Sequence, residues 1–525
     1  MFPFVHKDQL QLPRSSGMIS RVASFNLASV LIICVGNLFF PCSSDSDVTS
    51  TSTSVLEYHN GPRRDGVYIE ATMTKASATT FHLDPTFKAQ IRGPIYAQLL
   101  YIAKGVKGKD VIIVASEAND VAALDAATGK TIWTRTLGTP VPLRKLPCGN
   151  INPLGITGMP VVDMASHTIF LDAMITPDNG TTKKHLIFAL TLEDGSILHG
   201  WPVDVSAKVA FGKTAFDSSV QNQRGALAFV KGSVYVPYGG HYGDCGHYHG
   251  WLVGVPVTNP AAPKAWATGA WGGGSWAPGG VASEDSEVFI TTGNTFGTTT
   301  WSGGEALLRF SAGPVFGGQP SDYFTPDNWQ ALDESDTDLG GTGPIILDLP
   351  ASTPSKLLIA LGKDGKLYLI DRTNLGGVGN QIAVSRVATN EIIGGAAAYT
   401  TARGTYVVFK GKGSSCPPGQ SGDLTAVRIV PGSPPTVQTA WCAKQNGKGS
   451  PMVTTTNGHD EAIVWSVGAE GDNRLHGFDG DTGQIIYAGG GADEAIGPAR
   501  RYHTPILAGG RIFVAADNTV KAFVR

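Results

Sequence analysis

The sequence predicts an all-β fold, an eight-bladed β-propeller of four-stranded antiparallel blades, on three observations. Short β-like runs, most of them opening on a small residue or proline, recur eight times along the chain, and a strongly apolar run follows each one. Turn formers are abundant, with 67 glycines and 32 prolines in 525 residues. The eight runs begin at Leu99, Pro160, Ala226, Gly279, Pro344, Ala396, Pro451 and Pro505, 52 to 66 residues apart. A unit of roughly 50 residues that holds several short strands is the mark of propeller blades.

From the axis outward, each strand has its own composition. Innermost strands crowd together, which explains the Gly, Ala and Pro at their starts. Second strands such as "DVIIVAS", "GSVYVPY", "KLLIALG" and "RIFVAAD" are almost continuously apolar because neighbouring blades sandwich them. Third strands follow, as in "DVAALDA", "HLIFALT", "WLVGVPV" and "KLYLIDR". A hairpin then leads outward, clearest in "DVAALDAATGKTIWTRTLG" (Asp120–Gly138) and repeated more weakly at Ala189–Trp201 and Gly477–Gly490. There Gly129 suits a left-handed turn position, Asp125 or Thr128 can cap the turn, and Trp133 can fill the gap between blades. The last repeat has only three strands, so a segment near "SATTFHLD" (Ser77–Asp84) is expected to supply the fourth and close the ring. Closure removes the exposed sheet edges that invite aggregation. "TGKT" (Thr128–Thr131) resembles the end of a phosphate-binding loop, but Leu124 stands where glycine is required and no helix follows.

A formal net charge of −3 gives no global basic field of the kind nucleic acid requires. Near the N-terminus, Arg21 precedes the apolar run Ala28–Phe40, which is too short to span a bilayer and reads as a signal-peptide core. Residues 1–42 are therefore expected to be a signal peptide, with Met18 a more conventional start than Met1. Residues 43–56 are expected to be a polar linker and 57–525 the propeller. Cys42, followed by "SSDSDVTSTSTS", is alternatively a lipid anchor, although Phe39 and Pro41 suit a lipoprotein cleavage site poorly. A periplasmic or extracellular location follows, with no transmembrane domain in the mature chain. Export permits disulfides. Cys148, Cys245, Cys416 and Cys442 allow three pairings; Cys416–Cys442, inside one repeat, is the first expected, and Cys148 is a candidate partner for Cys245. No CxxCH motif is present for covalent haem, and no CxxC pair for zinc.

The "LDAATGKTIW" hairpin resembles the tryptophan-docking repeat of the pyrroloquinoline quinone (PQQ) propeller superfamily, over about residues 57–525. That superfamily holds eight-bladed alcohol and sugar dehydrogenases and non-catalytic scaffolds of outer-membrane protein assembly. "YHNGPRRDGVY", "INPLGITGMPVVD", "HYHGWLVGV", "YFTPDNW" and "GKDGKLYLIDRTN" are similar to its exported bacterial members. For a dehydrogenase the resemblance implies site residues. Asn294, in "ITTGNTFG", would help bind Ca²⁺. Asp336, in "YFTPDNWQALDESDTDLGG" with Asp338 as its neighbour, would be the catalytic base and a metal ligand. Lys363, in "GKDGKLYLIDRTN", would contact the quinone oxygens. Trp276, in "GGGSWAPGG", would stack on the cofactor, and Asp244 would replace a metal-binding glutamate. Such chemistry needs those groups: a cation polarises the quinone carbonyl, a carboxylate takes the substrate hydroxyl proton, and calcium takes hard oxygen ligands. The implied activity is oxidation of an alcohol or sugar with PQQ and calcium, and transfer of electrons to a separate acceptor.

Two departures favour the alternative, a non-catalytic propeller that binds a protein or glycan partner at the cell envelope. The enzymes commonly carry two adjacent cysteines near the quinone, whereas here Cys148 stands alone in "LPCGNINP". Asp244 is shorter than the glutamate it would replace. Asn294, Asp336, Asp338 and Lys363 are also residue types that propeller turns favour. In "HYGDCGHYHGW", His241, Asp244, Cys245, His247 and His249 offer either a transition-metal cluster or a structural loop. Arg500, Arg501 and His503 stand at the start of the last inner strand, placed either to line the channel for an anion or to project as loop charges. With no nucleophile elbow and no HExxH, a hydrolase is not expected.

Overall fold

The computed structural model describes residues 53–525, so the expected signal peptide, Cys42 and most of the linker lie outside the described residues. Eight antiparallel sheets form the ring, with inner strands starting at Leu100, Val161, Ala228, Ala282, Ile345, Ala396, Met452 and Ile506. Each start lies within three residues of the run expected from sequence. Blade one shows the pattern: Leu100–Val106, Lys109–Ala115, Asp120–Asp125 and Thr131–Thr136 pair in chain order. Second strands are the driest. All eight residues of Thr168–Ile175 are buried, as are Leu357–Leu361 in blade five. Burying apolar side chains between blades supplies the main drive for this packing, about 25 cal/mol per Å² removed from water.

The repeated hairpin acts between blades. Trp133 donates its ring N–H to Leu192 O at 3.0 Å in blade two, and Trp441 donates to Gly480 O at 2.8 Å in blade seven. Each indole lies against the hairpin glycine of the following blade. A Cβ at Gly195 would fall 2.7 Å from Trp133, and one at Gly483 would fall 2.7 Å from Trp441. Both glycines also hold positive φ (+69° and +72°), which side chains rarely adopt. The ring closes as expected: His82–Leu83 and Ala89–Gln90 pair antiparallel with the last strand, Thr519–Val524.

Inside the ring runs an N-terminal strap whose course has no repeat to announce it. Val55 exchanges hydrogen bonds with Tyr101 of blade one (2.7 and 3.0 Å), and Leu56 O accepts Val162 N of blade two at 2.9 Å. Farther on, Pro62 O accepts Ser283 N, Arg63 O accepts Ile346 N, and Asp65 O accepts Ala398 N, in blades four, five and six. Val67–Ile69 then lies parallel to Val453–Thr455 of blade seven. Val55 and Leu56, expected in the linker, are thus bonded to the ring. Arg64 is the centre of the strap. It is 1% exposed, donates to Tyr58 O, Gly61 O, Leu227 O and Val281 O, and pairs with Glu57 at 2.8 Å.

Both expected disulfides are present, Cys148–Cys245 and Cys416–Cys442. They point to an oxidising, extracytoplasmic environment. Among the described residues no helix is long and apolar enough to cross a membrane.

Candidate functional site

In an up-and-down blade, the end of the second strand and the start of the inner strand lie on the same face of the ring. That topology gathers residues far apart in sequence. Lys363 follows the second strand Lys356–Leu361 of blade five, and Asn294 follows Glu287–Thr291 of blade four. Asp244 follows Ser233–Gly240 of blade three, while Trp276, Asp336 and Asp338 precede inner strands. All of them line one cavity of about 250 Å³.

Charges in this cavity are closely coupled. Lys363 Nζ donates to Asp338 Oδ2 at 2.6 Å and to Asp336 Oδ1 at 2.7 Å. Asp338 Oδ1 accepts the Asn294 backbone N–H at 2.7 Å. The Asp338 side chain is 3% exposed and that of Asp336 63%, so the cluster has a buried acid and a solvent-facing one. Burial pushes Asp338 above the ordinary carboxylate range, against the pull of Lys363. For Lys363, burial opposes the charge, but the two carboxylates outweigh it and hold the ammonium above its usual value. Glu305 is buried nearby, its Oε2 accepting Leu339 N at 2.6 Å; burial and the Asp338 charge raise it well above the ordinary carboxylate range. Asp333, which accepts both the N–H and the hydroxyl of Thr295 at 2.7 Å, is pushed up to about 6 by burial.

Trp276 presents its ring to two cations, with Lys363 Nζ 5.4 Å and Arg224 Cζ 5.9 Å from the centroid. Arg224 also lies 6.0 Å from the Tyr502 ring, and no carboxylate pairs with it among the described residues. Arg224 and Tyr502 were not expected from sequence. A signal existed: both stand two or three residues ahead of an inner-strand start run (Ala226, Pro505), as Trp276 does ahead of Gly279. The strap passes near this cavity. Tyr58 packs on Met159 and Ala226 and shares a 3.3 Å hydrogen bond with Thr504. Ala226 and Thr504 are two residues along the chain from Arg224 and Tyr502, a separation of at most roughly 7 Å.

The histidine-rich loop does not gather a metal. His241, buried and lowered to about 4 by its burial, bonds to Ser219 O at 3.2 Å. Asp244 accepts the Tyr248 hydroxyl at 2.6 Å, Cys245 is oxidised, His247 stacks on Trp271, and His249 bonds to Thr268 O at 3.0 Å. Among the described residues, no three His, Cys, Asp or Glu side chains converge with metal-binding geometry. Arg500 and Arg501 are likewise engaged, with Asp517 and Glu470, and buried His503 accepts Ala515 N. They do not offer an anion site. The wall that carries Tyr242 and Asp244 is tied by Cys148–Cys245 to the connection between blades one and two; a Cβ on Gly243 would lie 3.4 Å from the Cys148 sulfur. Replacing both cysteines by serine is expected to speed amide hydrogen exchange over 241–248 while the blade strands keep their protection. Unchanged exchange there would mean that the loop holds its own shape.

The fold is that of an eight-bladed β-propeller, shared with solved structures of dehydrogenases. It is similar to the quinohemoprotein alcohol dehydrogenase of Pseudomonas putida HK5, with a TM-score of 0.60 and 13% identity over 90% of this chain and 80% of that one. The corresponding enzyme of Comamonas testosteroni gives 0.59, 13%, 90% and 80%. A europium-containing methanol dehydrogenase gives 0.55, 13%, 88% and 89%. No protein-family model matches the sequence, and no curated protein does. At such identities the likeness carries the fold; the chemistry has to come from the cavity.

Proposed function

We propose that this protein is an exported quinoprotein dehydrogenase that binds PQQ in the cavity and oxidises an alcohol or sugar, with a separate electron acceptor. The observation that carries this reading is the Trp276 ring flanked by two cations, one of them, Arg224, without a carboxylate partner. A flat molecule bearing several carboxylates suits that surface. Bound PQQ would supply the electron-accepting carbonyl. Lys363 would donate a hydrogen bond to the oxygen on which negative charge develops. Asp338, buried and bonded to both Asn294 and Lys363, holds the ammonium in place. Asp336, exposed beside it, is the carboxylate able to accept a proton from a substrate hydroxyl. Calcium fits less well: Asp244 is held by Tyr248, and Asp336 and Asp338 already neutralise Lys363, which leaves the Asn294 side chain as the open oxygen donor.

That neutralised lysine is also what favours the rival reading, a non-catalytic propeller that binds a protein or glycan at the envelope. Titration with PQQ, followed by absorbance and tryptophan fluorescence, separates the two. Saturable binding is expected, weakened about tenfold or more by Arg224→Ala through loss of a charge-assisted bond. With PQQ bound, dye-linked oxidation of an alcohol panel should fall about 100-fold or more in Asp336→Asn while binding persists. No quinone binding would leave the scaffold.

A further inference from the structure

The cavity on the loop face measures about 250 Å³, below the roughly 300–1,000 Å³ of sites that enclose a drug-sized ligand. A quinone held there leaves no enclosed room for a substrate, so the substrate meets it at the mouth. Two side chains of the lining stand open to solvent at that mouth, Asp336 (63% exposed) and Tyr242 (63%). We propose that the hydroxyl is carried by an anionic oligosaccharide or polysaccharide, which docks along a basic track leading outward from Tyr242. Its oxidation rests on the dehydrogenase reading above; its docking does not.

The track begins in the cavity with Arg224, which has no carboxylate partner among the described residues. Outside it, His241 and Tyr242 share a small cleft with Leu146, Gly149 and Asn150 of the connection from blade one to blade two. Arg144 and Lys145, just ahead of that stretch, are exposed. Lys145 also lies against blade two, where a Cβ on Gly180 would fall 2.5 Å from its Cγ. Three residues on from Gly180 stands Lys183, half-buried and close enough for its charge to act on His241; burial and then neighbouring charges hold that imidazole below its usual value. Among the described residues Arg144, Lys145 and Lys183 enter no ion pair. The acids of these loops are occupied locally: Asp178 with Thr176 and Thr182, Asp217 with Ser219 N at 2.8 Å, and Asp244 with Tyr248. On the blade-four side of the mouth, Asp327 and Glu334 are exposed and form no ion pair among the described residues. An anionic chain is repelled there and presents its end to the cavity.

Four substrate classes can be weighed against this surface. A small neutral alcohol uses neither the cations nor the Tyr242 ring. A neutral glycan can lay the C–H face of a sugar on that ring but leaves the cations idle. An acidic polypeptide answers the charges but brings hydroxyls only on scattered side chains. An anionic glycan does all three things at once. Its carboxylates or phosphates meet Arg144, Lys145 and Lys183, a sugar ring packs on Tyr242, and every residue carries a hydroxyl that its chain end can bring to Asp336.

The test is calorimetric titration of the quinone-free protein with oligogalacturonate, with maltodextrin and polyglutamate as the competing classes, at low and at physiological salt. Saturable binding of oligogalacturonate is expected, weaker as salt rises. Arg144→Glu with Lys145→Glu, both at exposed positions, should weaken it about tenfold or more, and Tyr242→Ala about threefold at either salt. Lys104→Glu with Lys107→Glu makes the same change of net charge in the turn between the first two strands of blade one, on the opposite face, and should leave binding as it is. In the quinone-loaded protein, oligogalacturonate should be oxidised with a lower KM than galacturonate, and the reversal at Arg144 and Lys145 should raise that KM with kcat little changed. Absence of oligogalacturonate binding, or binding indifferent to the reversal at Arg144 and Lys145, would overturn the proposal. Maltodextrin bound as tightly would overturn it in favour of a neutral glycan, and polyglutamate bound as tightly in favour of an acidic protein. These titrations contain no quinone, so their failure is distinct from a failure of PQQ to bind.

Discussion

Replacing Lys363 by methionine is expected to abolish quinone-dependent turnover and to lower stability by about 3 kcal/mol, at the lower end of the cost of breaking a buried ion pair. The loss falls mainly on Asp338. Its side chain is 3% exposed, and without Lys363 it keeps one partner, the Asn294 N–H at 2.7 Å. Asp336, 63% exposed, loses little because water replaces the ammonium. The defect should depend on pH with a defined sign. Burial already raises Asp338 above its ordinary value of 3.8, and removing Lys363 raises it further. A carboxyl whose folded pKa exceeds its unfolded pKa binds its proton more tightly when folded. Stability in the variant is therefore retained below about pH 4 and lost as pH rises through the folded pKa. Urea midpoints measured from acid to mildly alkaline pH should show the gap to wild type widening. Adding Asp338→Asn should recover most of the stability and none of the turnover. A gap that stays constant with pH, or a double variant no more stable than the single one, would refute the buried-pair account.

Arg64→Leu is expected to have the larger effect on the ring itself, about 4 kcal/mol or more. One guanidinium satisfies four backbone carbonyls and Glu57 in a dry setting, and bonds to a charged donor contribute about 1.5–3 kcal/mol each before any relaxation. Leucine fills part of the space but leaves Val281 O and Leu227 O without that donor. Unfolding followed by circular dichroism should show the midpoint fall sharply, and limited proteolysis should cut in the strap first. A midpoint shift worth less than about 1 kcal/mol would show that the strap decorates a ring that stands without it.

Much of the architecture was legible because it is written in local periodic patterns. Each inner strand starts within three residues of a run picked out by its small residues, and the closing strand at His82–Leu83 lies inside Ser77–Asp84. The Trp133 and Trp441 contacts repeat a hairpin visible as text. The cavity was partly legible. Asp244, Trp276, Asn294, Asp336 and Lys363 were named through a resemblance, and all five line one cavity. Arg224 and Tyr502 were missed because their place just ahead of an inner-strand run was the one signal, and the residue types add nothing to it. The choice of Asp336 over Asp338 ignored burial, and burial separates the two: one acid faces solvent, and the other is sealed against Asn294 and Lys363.

By itself the sequence determined a ring of eight blades closed by its own N-terminal part, since strand period, glycine turns and tandem repetition are properties of neighbouring residues. Only the tertiary structure decided that "VLEYHNGPRRDGVYI" runs along the inside of that ring and bonds to one inner strand after another. The strap's bonds go largely to backbone atoms up to several hundred residues away. A backbone carbonyl has the same chemistry whatever side chain it carries, so such partnerships leave no mark in the order of the amino acids.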